Sequence, residues 1–228
     1  MCFRSCSMSY SDRGPLARWR DDGPRGLPSN RLGAVYSALH SFWSARRAAV
    51  TVDRRTAGAR RDAYSVILFN SKTTPILAND ITSTPDELSN AVRRHQAFGG
   101  RDFSGALQEG RAIMEQNWNA QRTPVMIFLS DAGWSVSDAV IQGLCHSAIQ
   151  LGNPLSFHSV LFGRASESFY LRKMANVALE IQNSAPCNPR TPPSVPSSFA
   201  VAPDTAELVE TFLGIAESLR KPRGSLMC

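Results

Sequence analysis

Three short runs constrain this chain more than any other feature: Ala63–Phe69 (AYSVILF), Pro124–Gly133 (PVMIFLSDAG) and Pro154–Gly163 (PLSFHSVLFG). Each is apolar along most of its length instead of alternating with polar residues, so each needs cover on both faces. That is the pattern of strands inside a parallel sheet held between helices. The intervening stretches carry helix signals. Ser29 or Asn30 can cap a helix whose Leu32, Val35, Tyr36, Leu39, Phe42 and Trp43 share a face. Thr84, Pro85 and Glu87 make a capping box with proline at the first helical position. A helix after the glycines at 99–100 runs through Leu107, Met114 and Trp118; others start at Ser137 and span Ser168–Ile181. Asp204 and Glu207 cap a last helix, and Ser198–Ala202 (SFAVA) reads as a last short strand. Residues 183–198 hold five prolines and are excluded from regular structure. The alternation predicts a three-layer α/β domain, Rossmann-like, with a mostly parallel central sheet.

At 228 residues and 43% hydrophobic content, the chain can bury a substantial core. The expected division is a Gly-, Pro- and Arg-rich N-terminal segment over 1–29, one domain over 30–220 and a tail over 221–228. No apolar run approaches the roughly 18–20 residues of a transmembrane helix, so no membrane is expected. The first residues, MCFRSCSMSYSDRG, lack the apolar stretch of a secretory leader. The five cysteines (Cys2, Cys6, Cys145, Cys187, Cys228) are scattered without a CxxC pair, which suits reduced thiols in the cytoplasm. The net charge of +6 comes from residues 1–61, where twelve arginines meet four aspartates. Its densest part is Ser44–Arg61. A nucleic-acid contact is the sharper reading. An arginine-rich solvated loop is the preferred one, because no aromatic interleaving accompanies the charge.

The stretch Phe98–Gly110 (FGGRDFSGALQEG) reads as a loop turning into a helix N-terminus, a place that favours negative charge. Asp131 stands at the carboxyl end of the clearest buried strand, and sheets of this class place their sites at such ends. FGGRDFSGAL and VMIFLSDAG resemble, respectively, the Gly-Gly-Thr-Asp-Phe loop and the Leu-Ser/Thr-Asp-Gly strand end of the von Willebrand factor type A domains. RLGAVYSALHSFW and PLSFHSVLFG are similar to the first helix and a late strand of intracellular, particularly fungal, members. The resemblance runs from about Arg31 to Leu219.

That family commonly builds a metal-ion-dependent adhesion site. Its parts are Asp-x-Ser-x-Ser after the first strand, a threonine in the glycine loop and an aspartate after the fourth strand. A divalent ion there, usually magnesium, takes a carboxylate from a partner protein. Carried over, the aspartate is Asp131, the threonine position is Arg101, and the serines are Ser5 and Ser7, with Phe3 at the first aspartate position. A second register, Ser5–Ser7–Ser9, also lacks the aspartate. Magnesium is normally held by carboxylates with help from other oxygens. A guanidinium about 4 Å away would repel each unit of its charge by ~4 kcal/mol at an effective dielectric of ~20. A degenerate site is therefore expected, with no cofactor, and Mg²⁺ only if the remnant of Ser5, Ser7 and Asp131 still binds. Arg101 then either pairs with Asp131 in the cation's place or points to solvent.

Only Met1 and Cys2 precede Phe3, so the central first strand is expected to be truncated, as in a fragment of a longer protein. Other chemistry is thin. His40, His95 and His158 are isolated, and Cys145 and His146 point about 100° apart on a helix. The expected function is a non-enzymatic interaction module that binds a protein partner through an acidic residue. Arg101, Asp102 and Trp134 are the expected contacts, Trp134 being an aromatic anchor beside Asp131. The alternative is a small hydrolase or nucleotide-binding enzyme on the same fold, which would show a deep cleft at Asp131.

Overall fold

The computed structural model describes residues 2–3, 30–53, 62–95, 99–163, 166, 168–186 and 194–220. Six strands form one sheet: β1 (Cys2–Phe3), β2 (Tyr64–Phe69), β3 (Thr73–Asp80), β4 (Val125–Ser130), β5 (Ser156–Phe162) and β6 (Ser198–Ala202). Their order is β3-β2-β1-β4-β5-β6, and only the β2–β3 pair is antiparallel. Six helices cover the sheet: α1 (Arg31–Asp53), α2 (Pro85–Arg93), α3 (Phe103–Gln116), α4 (Asp138–Gln150), α5 (Phe169–Ser184) and α6 (Thr205–Ser218). α1 packs on α2 and α6, while α3, α4 and α5 adjoin in turn, giving a helical layer on each face. β5 is buried at every position, as a continuously apolar strand between two layers must be.

The local signals hold where a side chain can close a helix end. Asn30 Oδ1 accepts from Gly33 N at 3.0 Å, and Asp204 Oδ1 accepts from Glu207 N at 2.9 Å. At α2 both halves of the capping box form, Thr84 N donating to Glu87 Oε2 (2.7 Å) and Glu87 N to Thr84 Oγ1 (3.3 Å). Ser137 and Ser168 stand at their helix starts without a side-chain cap bond. In the proline-rich stretch, the Gln182 amide binds Val195 O (2.7 Å) and Ser197 N (2.7 Å), fastening α5 to the chain before β6.

Three expectations change. α1 continues to Asp53, so the start of the arginine-rich stretch is helix, not loop. Its Arg46 donates to both oxygens of Asp62 (Nε 2.8 Å, Nη2 3.1 Å) and to Ala216 O (3.2 Å), a partly buried structural cation that ties α1 to α6. Arg54–Arg61 lie outside the described residues. α3 stops at Gln116, where Asn117 Nδ2 caps Ile113 O at 2.9 Å, so Trp118 is past the helix. The edge strand β3 was not foreseen. It contains Pro75 and is nowhere fully buried, a weak strand signal tolerable only at an edge.

The central strand is two residues long, against six in each neighbour. Cys2 pairs with Leu68 and Leu129, and Phe3 with Phe69. The centre of the sheet is therefore occupied at its carboxyl end by the chain's own first residues.

Candidate functional site

The carboxyl ends of β2 and β4 carry the loops that build the site. Asn70 follows β2, is buried, and orders two turns at once. Its side-chain Oδ1 accepts from Lys72 N (2.7 Å), and its carbonyl accepts from Asp102 N (2.7 Å). Gly99 sits at φ +85°, and a Cβ there would lie 3.2 Å from Asn70 Nδ2, so the left-handed backbone and the close approach both call for glycine. Asp102 Oδ1 then accepts from Gly105 N at 2.8 Å and caps α3. A side chain at Gly105 would overlap that carboxylate. Phe103 enters the core edge-on to Phe69 (5.7 Å) and Phe128 (5.0 Å), joining the glycine loop to β2 and β4. The Asp-Phe step is thus a cap followed by a core anchor, and Asp102, expected as a partner contact, serves as the helix cap.

Asp131 follows β4 with its carboxylate fully shielded from solvent. Oδ2 lies 3.5 Å from Arg31 Nη1, and Oδ1 has no partner among the described residues. Of the two placements expected for Arg101, pairing with Asp131 is not the one found: Arg31, at the start of α1, holds that place, with its guanidinium also 5.9 Å from the Phe162 ring. Arg101 is exposed and has no ion-pair partner among the described residues. Next to Asp131, Ser130 Oγ accepts from Ala132 N (3.2 Å) and donates to Ala132 O (2.8 Å), tightening the turn.

Trp134, in the loop after β4, is 50% exposed. Phe169 and Tyr170, opening α5 after β5, are 69% and 39% exposed and meet edge-on at 5.2 Å. Lys173 and Asp138, 2.8 Å apart, clamp the first turns of α5 and α4 together at this end of the sheet. Sequence reasoning missed Arg31, Asn70, Phe169 and Tyr170. The aromatic pair had a legible signal: the inward stripe of α5 is Leu171, Met174, Ala175 and Ala178, and the two leading aromatics fall outside it. Arg31 had none, because its contact with Asp131 spans 100 residues.

Cys145, His158 and His40 sit in structural surroundings. Burial pushes the Cys145 thiol up to about 12 and the His158 imidazole down to about 4, with His158 Nδ1 2.8 Å from Ser198 Oγ. His40 Nε2 lies 3.0 Å from Asp86 Oδ1, joining α1 to α2. A cavity of about 710 Å³ opens at the other end of the sheet, and neither it nor a smaller one of about 140 Å³ is lined by Asp131, Arg101 or Trp134.

The sequence profile of the von Willebrand factor type A domain matches residues 5–134, a span holding the glycine loop, Asp131 and Trp134. The chain belongs to the von Willebrand factor type A domain family. No curated protein sequence matches it. Among solved structures, it is similar to the von Willebrand factor type A protein of Catenulispora acidiphila, with TM-score 0.54 and 18% identity. That match covers 94% of this chain and 40% of the other, so the chain spans less than half of that protein. It is also similar to the SpRpn10 VWA domain, with TM-score 0.58 and 11% identity over 92% of this chain and 91% of the other. At these identities the structural likeness speaks for the fold alone. Domains of this family are commonly protein-interaction modules and generally not enzymes.

Against the family's metal site, the described residues of this A domain offer one carboxylate. Half of it faces Arg31, and no group of three or more His, Cys, Asp or Glu among them could hold an ion. These described donors by themselves fall short of the several oxygens that a hard dication takes. Ser5 and Ser7 lie outside the described residues. No described helix is long and apolar enough to cross a membrane.

Proposed function

We propose that this A domain is a non-enzymatic docking module that takes an acidic residue of a partner protein at the carboxyl end of its sheet, without a metal ion. The observation that carries the reading is the division between two arginines. Arg31 already meets the buried charge of Asp131, which leaves the exposed Arg101 available for an incoming carboxylate. A guanidinium grips a carboxylate through two parallel bonds and needs no ion. Trp134, with Phe169 and Tyr170, supplies exposed aromatic area of the kind that anchors interfaces. The absence of a cofactor, the degenerate metal site and a cytoplasmic setting belong to the same proposal. An enzymatic reading calls for a cleft at Asp131, and neither of the two cavities described above is lined by it. A nucleic-acid reading loses Arg46 to its pairing with Asp62.

The test is selection of peptides on the immobilised domain, followed by titration of those selected. Binding that needs an acidic residue, persists in EDTA and falls at least tenfold in Arg101→Ala supports the proposal. Binding abolished by EDTA, or unchanged in Arg101→Ala, overturns it. Calorimetry with Mg²⁺ or Mn²⁺ is expected to give no sub-millimolar site, whereas Phe3→Asp with Arg101→Thr should create or strengthen one.

A further inference from the structure

At the carboxyl end of the sheet three exposed features stand in a row, one for each helix of a single layer. α3, α4 and α5 adjoin in turn, and each begins at this end. Arg101 precedes α3, in the loop that Asp102 N fastens to Asn70 O at the end of β2. Trp134 stands ahead of α4 in the loop after β4, and Phe169 and Tyr170 open α5 after β5. Packed helices lie about 8–10 Å apart, so the row runs from a cation through an indole to an aromatic pair in two steps of about that size. Arg101 has no ion-pair partner among the described residues, whereas Lys173 and Asp138, in the first turns of α5 and α4, satisfy one another at 2.8 Å. One end of the row therefore offers positive charge, and the stations after it offer aromatic surface.

That spacing selects a backbone. An extended strand returns a side chain to one face about every 6.6 Å and an α-helix about every 5.4 Å, both out of step with the row. A polyproline II helix returns one every third residue, a rise of about 9.3 Å, which matches it. Such segments also dock on exposed aromatic side chains, and their preset conformation leaves little freedom to lose on binding. We propose that the face takes a proline-rich segment of a partner protein in the polyproline II conformation. Its acidic residue meets Arg101, and apolar residues three and six positions away lie over Trp134 and over the Phe169–Tyr170 pair. This rests on the docking function proposed above and adds to it the backbone form and the spacing of the ligand. The chain's own proline-rich stretch, residues 183–198, carries Arg190 and neither Asp nor Glu. It lacks the acidic residue that Arg101 selects, which points to a different protein as the occupant.

The probes are two blocked, fluorescently labelled peptides, Asp-Pro-Ser-Leu-Pro-Ser-Leu and the same sequence reversed, titrated into the full chain. Both orders are used because a polyproline II helix presents similar contacts in either chain direction. Saturable binding of at least one is expected. Arg101→Ala, or asparagine in place of the peptide's aspartate, should each weaken it at least about tenfold, and the two together no more than either alone. Trp134→Ala should weaken it at least about tenfold, and Phe169→Ala with Tyr170→Ala several-fold. Two peptide variants test the ligand without altering the protein. Asp-Pro- Leu-shifted order, Asp-Pro-Leu-Ser-Pro-Leu-Ser, keeps the composition but moves both leucines off the three-residue spacing, and should bind several-fold more weakly. Glycine in place of both prolines removes the preset conformation without removing a contact, and should do the same. Equal binding of either variant, or indifference to Trp134→Ala, with Arg101 still required, would overturn this inference and leave the docking function standing. Binding indifferent to Arg101→Ala would overturn both. No saturable binding of either probe would overturn this inference alone, since the peptide selection above decides the docking function.

Discussion

At the carboxyl end of the sheet a two-residue strand, a buried asparagine and a glycine loop knit β2, β1 and β4 together, whereas at the amino end β2 and β4 flank an apolar cavity of about 710 Å³. The difference lies in what replaces strand length. At the carboxyl end, Phe69, Phe103 and Phe128 pack within 5.0–5.7 Å of one another, and the loops bind each other through backbone groups. At the amino end, large side chains such as Phe42, Trp43 and Met114 line space instead of filling it. A short central strand suffices where aromatic packing and loop hydrogen bonds converge on it, and a cavity opens where they do not.

The largest effect should separate the two ends directly. Phe128 touches Phe69, Phe103 and Phe157 and is fully buried, so Phe128→Ala should cost about 3–5 kcal/mol in urea denaturation. Met126, two residues earlier on the same strand, lines the cavity. Met126→Ala should cost no more than about 2 kcal/mol, the low end for a core truncation, because part of its surroundings is already empty. Equal costs would break the contrast.

His158 tests how dry the sheet is between its ends. Burial lowers its pKa to about 4, and its Nε2 has no partner among the described residues. The unfolded chain binds a proton near pH 6.5 that the folded chain refuses until about pH 4. Stability is therefore unaffected by this group above pH 6.5 and declines as pH falls through that window. The slope approaches at most about 1.4 kcal/mol per pH unit. Urea titrations at several pH values should show this slope, and His158→Asn should remove this part of it.

Arg31→Ala leaves the shielded Asp131 carboxylate without its cation and should cost about 1–3 kcal/mol, below the cost of a fully buried pair because Arg31 keeps some exposure. Adding Asp131→Asn should recover most of the loss, since the charge goes with its partner. If Asp131→Asn alone is as harmful, the pair matters less than the carboxylate's shape.

Gly99→Ala should be the mildest of the set, about 1–2 kcal/mol, for forcing a Cβ into the left-handed region against Asn70. Its effect should be local, speeding exchange most around Asn70 and Asp102 and least at β5. A loss spread over the whole sheet would mean that the loop is part of the global folding unit.

Much of this was legible along the chain. The continuously apolar runs became β2, β4 and β5, and Thr84–Glu87 and Asp204–Glu207 became caps, because both kinds of signal act within a few residues. β3 was not legible, since an edge strand faces weaker demands and Pro75 disguises it. At the site, Asp131 and the glycine loop could be read from their motifs. The roles within them could not: Asp102 and Phe103 serve as cap and core, and Arg31, not Arg101, meets Asp131.

By itself the sequence determined the layered α/β class, the family, and where the turns and helix ends fall, because periodicity and capping are local and each strand must match its cover. Only the tertiary structure decided which arginine neutralises Asp131, that Cys2–Phe3 completes the sheet at one end, and that a cavity is left at the other. Those outcomes depend on how segments far apart in the chain are brought together, and no local pattern encodes that distance.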